Sequence, residues 1–192
     1  MLLELHFITP DMVNKANRLL GQIKRSFVIR DSKSMLQLYK ATIRPILEYG
    51  SPVWSPWKKK QIIQIEQLQR RFTKLIDGMG GLSYNQRLEK LNLPTLQYRR
   101  RREQLIQVYK LLHGHYEADS TKFFQKEFGV TRGHSWKLQT KRARLCPRAN
   151  FFSVEIVKTW NSLPEAVVSS CTLNSFKNGI DRHLKEERFV SE

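Results

Sequence analysis

Lys58-Lys59-Lys60, followed by Arg70-Arg71, puts five cations on what reads as one helix, with Trp54 and Trp57 just ahead of it. Side chains of these types hold phosphates; they do not make or break bonds. Arg99-Arg100-Arg101-Arg102 is a second cluster. It spans just over one helical turn, so its guanidiniums spread around the helix and at least one packs or pairs internally. Arg132, Lys137, Lys141, Arg142, Arg144 and Arg148 form a third, interleaved with Trp136, a mixture that suits phosphate contacts beside a stacking surface. Any one cluster alone reads as a solvated helix face. Three of them, in a chain with 34 Lys and Arg against 17 Asp and Glu and a formal net charge of +17, point to nucleic acid. Lys58-Lys59-Lys60 also falls at a helix start, where the macrodipole disfavours cations and an outside anion would relieve them.

Reaction chemistry finds little to work with. No G-x-S-x-G and no adjacent Asp-Asp occurs, and the one acidic doublet, Glu186-Glu187, lies near the end of a surface-type helix. A two-metal polymerase or nuclease centre needs clustered carboxylates, whereas the acids here are scattered among bases. His113, His115, Cys146 and Cys171 lack any Cys-x-x-Cys spacing and do not make a zinc knuckle. They read as polar histidines at a helix end and two buried thiols. The expectation is no catalytic residue, no metal and no cofactor.

Two cysteines make no disulfide framework, so the chain reads as intracellular, nuclear or cytoplasmic. No apolar run approaches the ~18 residues of a membrane span. No basic amphipathic helix carries the aromatic face that interfacial anchoring favours, so no membrane partner is expected. The N-terminal Met1 to Ile8 is apolar but broken by Glu4 and closed by Pro10-Asp11, without the basic start of a signal peptide.

The elements that must position the cations are helices. Thr9 and Pro10 open the first, in which Val13, Ala16, Leu20, Ile23 and Phe27 form one face and Lys15, Arg18, Lys24 and Arg25 the other. Met35, Leu38, Tyr39, Ile43 and Ile46 mark a second, which Pro45 should kink or end near Arg44. A third runs from about Trp57 to Ile76 over Ile62, Ile65, Leu68, Phe72 and Leu75. Ser83 with Gln86 is a capping box for a short helix to Leu91. Pro94-Thr95 starts a long helix through Leu105, Val108, Tyr109 and Leu112, closed by Gly114. Asp119 to Phe128 reads as a short helix, and Val130 to Arg148 as a β-hairpin or an extended basic loop. Asn150 to Trp160 is helical with Phe151, Val154 and Val157 inside, and Phe152 and Ile156 as further candidates for that face. Thr172 caps a last helix carrying Phe176, Ile180 and Leu184. Trp54, Trp57 and Trp160 read as wedges between helices, and Trp136 as the stacking candidate. The fold class is therefore mainly α: a helical bundle over 1–115 and a smaller basic helical region over 116–192 with room for a short hairpin.

Several ordered segments resemble one family. Lys15 to Phe27 is similar to the segment that follows the palm in reverse transcriptases of non-LTR (LINE-type) retrotransposons, closest to the jockey and chicken-repeat-like groups. The run RPILEYGSPVWSPW from Arg44 continues the likeness. Ile65 to Lys74, Leu82 to Leu88, Leu91 to Arg100 and Val108 to Gly114 follow in the same order. So do Arg132 to Ser135, Asn150 to Ser153, Trp160 to Pro164 and Asn174 to Lys177. No single piece is diagnostic; the ordered set from about Val13 to Leu184 carries the resemblance.

The resemblance implies a thumb followed by a C-terminal region, without the palm and its carboxylates and without the Cys/His knuckle of some related elements. Residues 1–12 match less well, which reads as a truncated copy or a fragment. A thumb holds duplex by its backbone without reading sequence. On that likeness Lys24, Arg25, Lys58, Lys59, Lys60, Arg70 and Arg71 are expected to contact phosphates. In the C-terminal region Trp136, Lys137, Lys141, Arg142 and Arg144 are expected to meet element RNA or target DNA. The partner would be RNA, DNA or their hybrid, together with a palm domain; Mg²⁺ would enter only with that palm. Two other readings stand beside this one. The chain could supply the thumb of an active RNA-directed DNA polymerase whose palm lies upstream or on another chain. It could also be a helical protein-interaction module or a retroelement remnant without function.

Overall fold

The computed structural model describes residues 8–56, 58–117, 119–127, 133–140 and 151–190 of the chain. These residues are mainly helical, and among them there is no strand, only an isolated antiparallel bridge between Lys126 and Leu138. The chain divides into two compact units, Met1–Arg100 with Glu186–Glu192, and Arg101–Lys185. The boundary expected after residue 115 lies inside the second.

In the first unit, α1 (Ile8–Ser26) buries Met12, Ala16, Leu20 and Ile23 at helical spacing. Phe27, expected on that stripe, is 44% exposed, because the helix ends one residue earlier and Phe27-Val28-Ile29 leads away from the core. Arg30 closes the helix end: its Nε donates to the Phe27 carbonyl and its Nη2 to that of Lys24, each at 3.1 Å. Asp31 caps α2 (Ser32–Leu38), its carboxylate accepting from the Ser34 amide at 2.9 Å. The helix does not end at Arg44. It widens into a π turn (Tyr39–Ile43), across which the Arg44 amide reaches the Tyr39 carbonyl, and continues as α3 (Arg44–Glu48) with Pro45 inside. The wider turn absorbs a residue that brings no amide proton to the ladder.

Gly50, at φ +63°, turns the chain into the short α4 (Ser51–Trp54), whose Trp54 is buried. Then α5 (Lys59–Leu75) buries Ile65, Leu68 and Phe72 at i, i+3 and i+7. The Ser83–Gln86 capping box starts α6 (Tyr84–Lys90) as its sequence predicts. Thr95 Oγ1 accepts from the Tyr98 amide at the start of α7 (Leu96–Leu112). Each core Leu or Ile contributes about 1.5–3 kcal/mol by leaving water.

In the second unit, α8 (Phe152–Asn161) buries Ile156, Val157 and Trp160. Ile156 and Val157 stand inside as the spacing predicts, whereas Phe151, Phe152 and Val154 do not, because the buried face is centred on Ile156, Val157 and Trp160. Phe151 becomes the N-cap residue, 47% exposed, and Val154 is half-buried. Next come α9 (Glu165–Val168) and α10 (Leu173–His183), the latter capped by Thr172 and carrying Phe176 and Ile180. The helix expected over Asp119 to Phe128 shrinks to one 3-10 turn, Ser120–Lys122. Asp119 favours the turn by accepting from the Thr121 amide at 3.0 Å. Beyond it the chain pairs as β backbone, Glu127 N to Lys137 O at 2.9 Å and Gln139 N to Gln125 O at 2.8 Å. Cys171 is exposed, not buried as expected. Trp57, Arg132, Lys141, Arg142, Arg144, Cys146 and Arg148 lie outside the described residues.

Candidate nucleic-acid interface

The described helix that bears more of the candidate cations than any other, α5, is anchored from below by polar side chains. Tyr39 OH donates to Gln69 Oε1 at 2.6 Å. Gln69 Nε2 donates to Tyr84 OH at 3.1 Å and to the Pro94 carbonyl at 2.9 Å. Tyr84 OH donates to Glu66 Oε1 at 2.5 Å, and both Glu66 oxygens accept the Leu96 amide at the start of α7. Nearby, Arg87 donates from Nε to Thr73 Oγ1 and from Nη1 to the Leu82 carbonyl. Glu66, Gln69, Thr73, Arg87 and Arg100 are all buried. Both terminal nitrogens of Arg100 lack a hydrogen-bond acceptor among the described residues, and Glu66 is the foremost of the negative charges that steady it.

This network shifts its own titrations. Burial raises Glu66 above the usual carboxylate range, against the opposing pull of the Tyr84 hydrogen bond and the Arg100 charge. Burial likewise raises the phenols of Tyr39 and Tyr84, with the Glu66 charge adding to it. A group whose folded value lies above its unfolded one contributes its full stability below the unfolded value and loses it as pH rises. Above about pH 10 the unfolded chain ionises these phenols while the folded one holds their protons. Stability of the first unit should therefore fall by about 1.4 kcal/mol per pH unit for each of the two tyrosines. Urea unfolding across alkaline pH measures the slope, and Tyr39→Phe with Tyr84→Phe should flatten it.

The top of α5 is a row of exposed side chains. Lys60, Gln64, Gln67, Arg71 and Lys74 recur at steps of four, three, four and three, one helical face about 21 Å long. Arg71 Nη1 donates to Asn17 Oδ1 of α1 at 3.1 Å. Beyond both helix ends the Arg30 amide donates to the Asp77 carboxylate and the Asp77 amide to the Arg30 carbonyl, each at 3.0 Å. The two helices therefore run side by side in one direction. On α1, Arg18 is exposed one turn after Asn14 and so lies near this row, whereas Lys15 is exposed on another face of the helix. Such an array can neutralise phosphates over about six base steps at 3.4 Å each.

The cations named from sequence do not gather at one point. Lys24 and Arg25 are exposed in the last turn of α1, and Lys58, Lys59 and Lys60 are exposed at the opposite end, where α5 begins without a side-chain cap. Arg71 joins the exposed row. Arg70 is half-buried, its guanidinium 4.7 Å over the Tyr84 ring. Lys15, Arg18 and Lys74 were not among the candidates, although the four-three spacing of α5 would have revealed Lys74. Of the arginine run, Arg99 pairs with Glu48 through the Nε/Nη2 edge of its guanidinium, Arg100 is buried, and Arg102 forks onto Asp181 in the same way. The expectation that part of this run is used internally holds.

In the second unit Trp136 is half-buried. Its indole stacks on His113, with centroids 4.4 Å apart, and carries the Lys126 ammonium 3.7 Å from its centre. His113 stacks in turn on Tyr109, and Tyr109 on Phe176. The indole is thus one end of a column of rings, engaged within its own unit. Burial lowers His113 below its ordinary value, helped by His115 and Lys126. Lys137 is half-buried, its stem lying where a Cβ on Gly133 would stand.

Among the described residues no group of three or more His, Cys, Asp or Glu could hold a metal ion. No described helix is long and apolar enough to cross a membrane. Compared with protein-family models, with curated proteins and with solved structures, the chain matches none.

Proposed function

We propose that this chain is a helical module that grips nucleic acid by its backbone, of the kind that follows the palm in non-LTR retrotransposon reverse transcriptases, and that the polymerisation chemistry belongs to a palm domain elsewhere. The observation that carries the reading is the exposed face of α5, with Lys60, Arg71 and Lys74 in register and Arg18 of α1 close by. The ordered sequence resemblance and the net charge of +17 support it. Contacts of ammonium and guanidinium groups to phosphate hold a strand without reading its sequence. They release counterions, so affinity falls steeply with salt.

Titrating labelled duplex and single-stranded RNA and DNA of unrelated sequence at rising salt tests this directly. The expected result is tight binding at low salt with a linear fall of log K against log salt. Absence of binding at low salt would remove the reading and leave a helical protein-interaction module.

A further inference from the structure

Between α1 and α5 lies a cleft of about 290 Å³, at the small end of ligand pockets, with room for one ring system. Its walls carry four carboxamides, Asn14 and Asn17 from α1 and Gln64 and Gln67 from α5. Its apolar lining is Leu68, which is buried, and Val13, which is half-buried. Arg71 reaches across to Asn17 and so ties the two walls together. Asn14, Gln64 and Gln67 are exposed and make no hydrogen bond among the described residues, so a ligand can reach their carboxamides by displacing water alone.

The residue types restrict what that could be. A carboxamide is uncharged and presents a donor and an acceptor side by side, the pattern that matches the N6/N7 edge of adenine. Apolar side chains between the walls accept the flat face of a base. Arg18 on α1 one turn after Asn14, Lys60 one turn before Gln64 and Lys74 one turn after Arg71 are exposed around it, placed for the phosphates on either side of the base.

We propose that the α1–α5 cleft is a base-reading pocket that takes one unpaired adenine from a strand held by the surrounding cations. The proposal rests on the nucleic-acid reading above and adds to it: a module that otherwise grips without regard to sequence would prefer strands that can place an adenine here. Asn14 and Gln67 are the residues that would read the base edge, and Arg71 holds the walls at the right separation.

Fluorescence anisotropy with three labelled single strands of equal length tests it: oligoadenylate, oligouridylate, and a strand with abasic sites replacing its central residues. Adenine should bind about tenfold tighter than the abasic strand, with uracil between them. Gln64→Leu with Gln67→Leu should bring the three affinities together while the salt slope stays that of the parent. Both positions are exposed on a helix and leucine favours helix, so an unchanged melting curve is expected. Asn14→Leu, on the facing wall, should act in the same direction and serves if the double variant misfolds. Equal binding of adenine and abasic strands with a steep salt slope would sink the pocket and leave the phosphate grip intact. A preference for uracil, or a preference that survives Gln64→Leu with Gln67→Leu, would also overturn it. Absence of binding to every strand would remove the grip and the pocket together.

Discussion

Glu66→Ala should cost the first unit about 3–5 kcal/mol, most of the margin of an ordinary domain. Glu66 is 5% exposed and accepts from Tyr84 and from the first amide of α7. Truncation leaves that phenol and that amide without an acceptor. It also removes the foremost negative charge near Arg100, a guanidinium 3% exposed with both terminal nitrogens unbonded among the described residues. An uncompensated buried cation costs more than the lost hydrogen bonds. Glu66→Gln should lose less, because its carbonyl still accepts, yet more than a surface exchange, because the charge facing Arg100 is gone. Urea unfolding at neutral pH measures both, and a loss under about 1 kcal/mol for the alanine variant would contradict the role given to this cluster.

Acid should act on Glu66 in the opposite sense to most carboxylates. Its folded value lies above the unfolded one, so the pH-dependent part of its contribution is fullest at low pH and falls away as pH rises from the unfolded value through the raised one. Asp31, Asp119 and Glu165 are lowered by hydrogen bonds from neighbouring amides and hydroxyls. Their stabilisation is present at neutral pH and disappears as pH falls through their folded values.

Lys58→Ala, Lys59→Ala and Lys60→Ala made together should weaken duplex binding by about two to three powers of ten near 0.1 M salt. Each lost phosphate contact removes about 0.9 from the slope of log K against log salt, so the slope should flatten by about two to three units. The factor should be the same for unrelated sequences, since backbone contacts carry no base information. Misfolding is not the expected cause. Three ammonium groups at the uncapped start of α5 oppose its dipole, so their removal should leave the melting temperature unchanged or slightly higher. A slope equal to the parent's would show that this end of α5 points away from the strand, leaving Arg71, Lys74 and the α1 cations to hold it.

Where helices bury a single apolar stripe, the sequence was readable. Ala16, Leu20 and Ile23 on α1, Ile65, Leu68 and Phe72 on α5, and Phe176 and Ile180 on α10 all stand where their spacing puts them, and the caps Ser83 and Thr172 do as well. Periodicity failed where polar residues go inside. Glu66, Gln69 and Thr73 follow one another at steps of three and four, an interior face as regular as the apolar one, yet their types mark them as solvent-facing until partners such as Tyr39 and Tyr84 come from distant turns. Asp119 and its neighbours misled for the reverse reason, since a side chain that bonds its own backbone can stop a helix after one turn. Of the candidate interface, single cations were visible but their register was not. Arg70 and Arg71 are adjacent in sequence, and only the phase of α5 turns one over Tyr84 and leaves the other outside.

The wide turn Tyr39–Ile43 holds one residue more than the α-helical path it replaces, and its width absorbs that residue, so that Leu47 stays on the buried side with Tyr39 and Ile43. Loss of a codon anywhere else in this stretch would rotate everything after it by about 100° and swing Leu47 toward water. Loss of one within the turn would preserve that phase, but it would also remove the slack that accommodates the ring of Pro45. Length and proline are therefore tied together here, and a lineage that shortens this segment by one residue can keep its interior only by replacing Pro45 as well.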